Sequence, residues 1–145
     1  LVDRVVSAYN ALFTRVSTDD SGNAIVDDQG VTVRTNRAAE IKISFEQAID
    51  DWATATGAEQ FDPSSFDDFL ENTPAHADAA TDLRNLRELL RLIQLLGLSP
   101  REFGYAKATI LNYVQPGQIS AVEFQALVDR TTVAAPQLDA QGGQQ

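Results

Sequence analysis

Ala77-Asp-Ala-Ala-Thr-Asp-Leu-Arg-Asn-Leu-Arg-Glu-Leu-Leu-Arg-Leu-Ile-Gln-Leu-Leu-Gly-Leu98 is the stretch whose reading decides the fold. Stepping its residues at 100° places Leu83, Leu86, Leu89, Leu90, Leu92, Ile93 and Leu96 on roughly half the circumference of a helix. The spacing predicts a helix from about Ala77 to Leu96, closed by Gly97 as its C-cap. One neighbour cannot cover so wide an apolar face. The helix is therefore expected in the middle of a bundle, or shared with a second subunit.

The flanking residues supply its neighbours. Ser99-Pro-Arg-Glu102 joins an N-cap serine, proline at the first helical position and a reciprocating glutamate, so a helix opens there and stops at Pro116-Gly117. Ser120-Ala-Val-Glu123 opens another in the same way. Upstream, Asp62-Pro63 with Ser64 and Ser65 reads as the start of a short helix turning Phe66, Phe69 and Leu70 inward. Ile41, Phe45, Ala48, Ile49 and Trp52 keep helical spacing, and Ser44-Phe-Glu-Gln47 fits a capping box. That predicts a helix from Ser44 to Thr56, preceded either by its own first turns or by a strand.

Val2 to Val16 carries the i, i+3, i+4, i+7 pattern of one helix face. Ala24-Ile-Val26 and Val31-Thr-Val-Arg34 flank Asp27-Asp-Gln-Gly30 and predict a hairpin near residues 24–34. The fold class is then mainly α: five or six helices with one small β-hairpin after the first helix. A single helical domain spans 1–132. Residues 133–145, rich in Ala, Gln and Gly, read as a flexible tail or linker. The start at Leu1 rather than Met reads as that of a fragment or processed product.

Charge narrows the partners. Eleven basic residues face 21 acidic ones, a formal net charge of −10, which opposes binding to nucleic acid phosphates and to anionic membranes. The absence of Cys removes thiol nucleophiles and zinc–thiolate sites. No apolar run reaches the length of a membrane span.

Four motifs invite a functional reading. The acidic loop 18–28 places Ser17, Asp19, Ser21 and Asp28 at calcium-loop positions 1, 3, 5 and 12 around Gly22, but a hydroxyl comes first and a strand follows, so a solvated turn is expected. The pairs Asp19/Asp20, Asp27/Asp28, Asp50/Asp51 and Asp67/Asp68 are sequence neighbours, which do not converge across a cleft as acid–base catalysis requires. His76 has no sequence neighbour able to make it a ligand or a base. Arg84, Arg87 and Arg91 share one side of the central helix, either pairing with Glu88, Asp67, Asp68 and Glu71 or offering a contact surface to an acidic partner.

Leu92-Ile-Gln-Leu-Leu-Gly-Leu-Ser-Pro-Arg-Glu-Phe103 resembles the turn of a helix-turn-helix, which implies a second helix entering the major groove. Only Arg101 and Lys107 are basic in that second helix. No catalytic constellation, cofactor motif or metal-ligand set is present. The expected function is a non-catalytic structural or protein–protein interaction module within a larger assembly such as a virion, secretion or surface machine. It would act through a protein partner or self-association, with Arg84, Arg87 and Arg91 as partner contacts. Two other readings are an acidic, immunity-type protein masking a basic partner and a helix-turn-helix-like regulator.

Overall fold

The computed structural model describes residues 1–130. The expected linker at 133–145 lies outside the described residues. Six α-helices follow one another: α1 (Val2–Phe13), α2 (Ala38–Thr56), α3 (Pro63–Glu71), α4 (Ala77–Gln94), α5 (Pro100–Val114) and α6 (Ala121–Asp129). Two short strands, β1 (Thr14–Val16) and β2 (Arg34–Asn36), form one antiparallel ladder after α1. The molecule is a mainly α bundle with one hairpin, as the periodicity predicts. No helix among the described residues is long and apolar enough to cross a membrane.

Helix α4 is the axis, touching all five other helices. Leu83, Leu86, Leu89, Leu90, Leu92 and Ile93 are buried, so the half-circumference apolar face is covered within one chain. A second subunit is not needed to cover it. Phe45 packs against Phe124, and Trp52 meets Phe61 and Phe66 edge to face while its indole N–H donates to Ser65 Oγ at 2.9 Å. Two of the three predicted capping boxes form, the one at Ser44–Gln47 falling inside α2: the Ser99 hydroxyl accepts the Glu102 N–H while Glu102 accepts the Ser99 N–H, and Ser120 and Glu123 do the same.

Three boundaries differ from the sequence reading. Helix α2 begins at Ala38, leaving Ser44 inside it, because Asn36 Oδ1 accepts the Ala38 N–H at 2.8 Å and starts the helix early. Ile41 and Phe45 are each 1% exposed and Ile43 52%, which settles the earlier ambiguity for helix over strand. Helix α3 starts as read, with the Asp62 carboxylate accepting the Ser64 and Ser65 N–H groups, whereas α4 ends at Gln94 with Leu95 as its C-cap rather than at Leu96 with Gly97. Helix α1 ends at Phe13 rather than Val16. The Thr14 hydroxyl donates to Asn10 O at 2.6 Å, and the backbone turns extended to enter the ladder.

The expected hairpin near 24–34 is one part of a larger three-armed element, hereafter the β arm, spanning residues 14–36. The stem is the ladder pairing Thr14 with Asn36, Arg15 with Thr35 and Val16 with Arg34. Beyond it the Ser17 N–H donates to Val33 O, the Val33 N–H to Ile25 O, and the Ile25 N–H to Ser17 O, each at 2.9 Å. Three residues spaced by eight thus close a ring of backbone hydrogen bonds. Two tight turns radiate from it, Asp19-Asp-Ser-Gly22 and Asp27-Asp-Gln-Gly30, with bridges Thr18–Ala24 and Val26–Thr32 at their bases.

Each turn ends in a left-handed glycine, Gly22 at φ +84° and Gly30 at φ +77°, a conformation that favours glycine. In each, the first aspartate accepts two backbone N–H groups: Asp19 from Ser21 and Asn23, Asp27 from Gln29 and Val31. No residue from Thr18 to Arg34 is buried. At the base, the Arg37 N–H donates to Phe13 O at 2.6 Å, and the Arg37 guanidinium reaches Leu12 O and both Asp82 oxygens. The hydrogen bond to Asp82 raises the Arg37 pKa above its ordinary value.

Candidate partner-binding groove

Arginines at positions 84, 87 and 91 of α4 recur within one side of the helix, and in the fold that side faces the start of α5 and the end of α6. Together these elements line a groove of about 650 Å³. Leu90, Phe103 and Val128 give it apolar surface. Arg84, Arg87, Arg91, Lys107 and Arg130 line it with cationic heads, against Glu88 and Asp129. Within a chain of net charge −10, the groove is a local region of positive excess.

The three arginines differ in how far the fold commits them. Arg87, 13% exposed, donates to Asp67 at 2.8 Å and to the α6 carbonyls of Leu127 and Val128 at 2.7 and 3.3 Å. It ties α3, α4 and the negative end of α6 together, with Arg130 sharing Asp67 at 3.0 Å. Arg84 and Arg91 are 55% and 54% exposed. Arg84 lies 3.9 Å from Glu71, and Arg91 is bidentate on Glu88 at 2.9 and 2.7 Å. The Arg91 hydrogen bond lowers the Glu88 pKa, with Arg4 adding to the effect. Exposed pairs of this kind are worth about 0–1 kcal/mol, so an incoming carboxylate competes for Arg84 and Arg91 at small cost.

Lys107 and Arg130 join the groove without any sequence signal, because only the packing of α5 and α6 onto α4 brings them there. Lys107 pairs with Asp129 at 2.5 Å, so it is not displayed with Arg101 as a basic recognition surface. Helix α5 leaves α4 after the Leu95–Ser99 turn and packs mainly on α2.

The remaining motifs disperse. His76 is held by Asp51 of α2, Nε2 to Oδ2 at 2.7 Å, and packs against Phe69. The fold therefore supplies a partner 25 positions away. Ser17 Oγ bonds Thr35 Oγ1, and Asp19 is turned onto its own loop, so the calcium-loop positions do not converge. Among the described residues no group of three or more His, Cys, Asp or Glu side chains is placed to hold a metal ion.

The described residues of the groove lining carry ionic and apolar groups and the Gln94 amide, with no hydroxyl, thiol or imidazole among them. Its chemistry is ion pairing and apolar burial. Comparison with protein-family models, curated proteins and solved structures found no match.

Proposed function

We propose that the chain is a non-catalytic protein-interaction module, one component of a larger assembly, whose groove takes an acidic, partly apolar segment of a partner protein. The observation that carries this reading is the union of two half-exposed arginines, Arg84 and Arg91, with the apolar groups of Leu90, Phe103 and Val128. Carboxylates meet the guanidinium forks in bidentate geometry, while apolar side chains supply burial.

Three peptides of one length test it: leucine alternating with glutamate, with glutamine and with lysine. Calorimetric titration should show the glutamate peptide binding at least about tenfold tighter than the glutamine one, a difference of about 1.4 kcal/mol. The advantage should shrink with salt and vanish in Arg84→Gln/Arg91→Gln. Equal affinity for the first two peptides rejects the groove reading. Preference for the lysine peptide rejects it in favour of an acidic protein that masks a basic partner.

A further inference from the structure

The β arm displays the complement of what the groove displays. Asp19 and Asp27 are occupied by their own turns, whereas Asp20 and Asp28 beside them make no hydrogen bond within the described residues and stand exposed. Val26 and Val31, at the base of the second turn, are 58% and 59% exposed, and Ile25 39%. The arm thus pairs free carboxylates with bare aliphatic side chains, and it buries neither.

We propose, resting on the groove reading above, that the groove's occupant is a second copy of this chain, the β arm of one molecule seated in the groove of the next. The acidic tips meet Arg84 and Arg91, and the aliphatic side chains at the base of the second turn meet the apolar wall. A molecule cannot satisfy its own groove in this way. The arm is pinned at its base by Arg37 on Asp82, and Arg84 lies about 200° around α4 from Asp82. The two surfaces differ, so the contact is heterologous, and successive copies extend a ring or a filament.

Net charge decides the working conditions. Near 0.1 M ionic strength the Debye length is about 10 Å, which screens repulsion between whole acidic molecules more than it weakens pairs in contact. Association is therefore strongest at moderate salt and falls at high salt.

The test uses two variants that each lack one half of the contact. In the first, Arg84→Glu/Arg91→Glu disables the groove; neutral Arg84→Gln/Arg91→Gln serves if the reversal unsettles folding. In the second, Ser17–Val33 is replaced by Asn-Gly, a two-residue connection suited to join the ladder partners Val16 and Arg34. Molar mass by light scattering, from micromolar to millimolar protein at moderate salt, should rise for the full chain and stay at one chain for either variant alone. An equimolar mixture should reach two chains and stop, because one arm fits one groove.

A full chain that stays monomeric, a mixture that stays monomeric, or an armless variant that associates like the full chain would overturn the proposal. If the monomeric full chain still prefers the glutamate peptide, the groove reading survives and the second-copy assignment alone fails. If it does not, both fall.

Discussion

Between Ala38 and Asp129 the chain buries leucines, isoleucines, phenylalanines and a tryptophan, while between Thr14 and Asn36 it buries a single serine. The helices are held by area removed from water and the arm by hydrogen bonds between near neighbours. Burial is cooperative, so one truncated side chain is felt across the bundle. A turn held by its own aspartate answers only for itself. The two regions should therefore respond to mutation on different scales and to different probes.

The largest contrast comes from the core. Leu86→Ala, at a position 1% exposed in contact with the rest of the bundle, should lower unfolding free energy by about 3–5 kcal/mol in urea titrations. Val26→Ala on the arm should stay within about 0.5 kcal/mol of the parent chain. Equal losses would show that the arm is packed rather than free.

Next is the shared carboxylate. Asp67→Ala leaves Arg87 beside the α6 carbonyls without its counter-ion and Arg130 without its partner, and should cost about 2–3 kcal/mol. Arg84→Ala, whose ion pair is loose and exposed, should be nearly silent in the same assay.

A smaller effect belongs to the caps. Ser99→Ala should cost about 1 kcal/mol and speed amide exchange in the first turn of α5. Its partner Glu102 has a lowered pKa because it accepts the Ser99 backbone N–H and hydrogen-bonds the Ser99 side chain. A depressed folded-state pKa stabilises above the ordinary carboxylate value and ceases to do so as pH falls through the lower folded one. The first turn of α5 should accordingly fray only in acid, and Glu102→Gln should remove that dependence.

The smallest effect separates two adjacent aspartates. Asp27→Ala should deprotect the Gln29 and Val31 amides with the global melting temperature unmoved, because Asp27 holds both. Asp28→Ala should change neither. Exchange measured amide by amide distinguishes them.

What could be read in advance follows the same division. Helices α5 and α6 were legible because serine caps fix their starts, and α4 because leucine spacing fixes its extent, although α4 stops at Gln94 with Leu95 as its C-cap and the left-handed Gly97 lies two residues beyond. The start of α2 was hidden, since its initiating group is the amide of Asn36, which acts only once β2 has formed. The turn at Asp27–Gly30 was visible from its glycine. The ladder was not, because Thr14–Val16 also fits the apolar spacing of α1. The echo between Asp19-Asp-Ser-Gly22 and Asp27-Asp-Gln-Gly30, eight residues apart, is the sequence sign of the three-armed ring. Arg84, Arg87 and Arg91 could be placed on one side from spacing alone, and their carboxylates Asp67, Glu71 and Glu88 were foreseeable. Which arginine would be locked and which left loose depended on how α6 closes over α4.

The bond from the Arg37 N–H to Phe13 O brings entry and exit of the arm side by side, so the bundle meets it as a stalk with a single foot. Among the described residues, whatever is written at the tips reaches the helices through that foot and the Arg15–Glu40 pair beside it, Nε to Oε2 at 3.0 Å. The tips and the buried core thus occupy separate territory, and residues 20–21 and 28–29 can be exchanged without touching the packing of the scaffold.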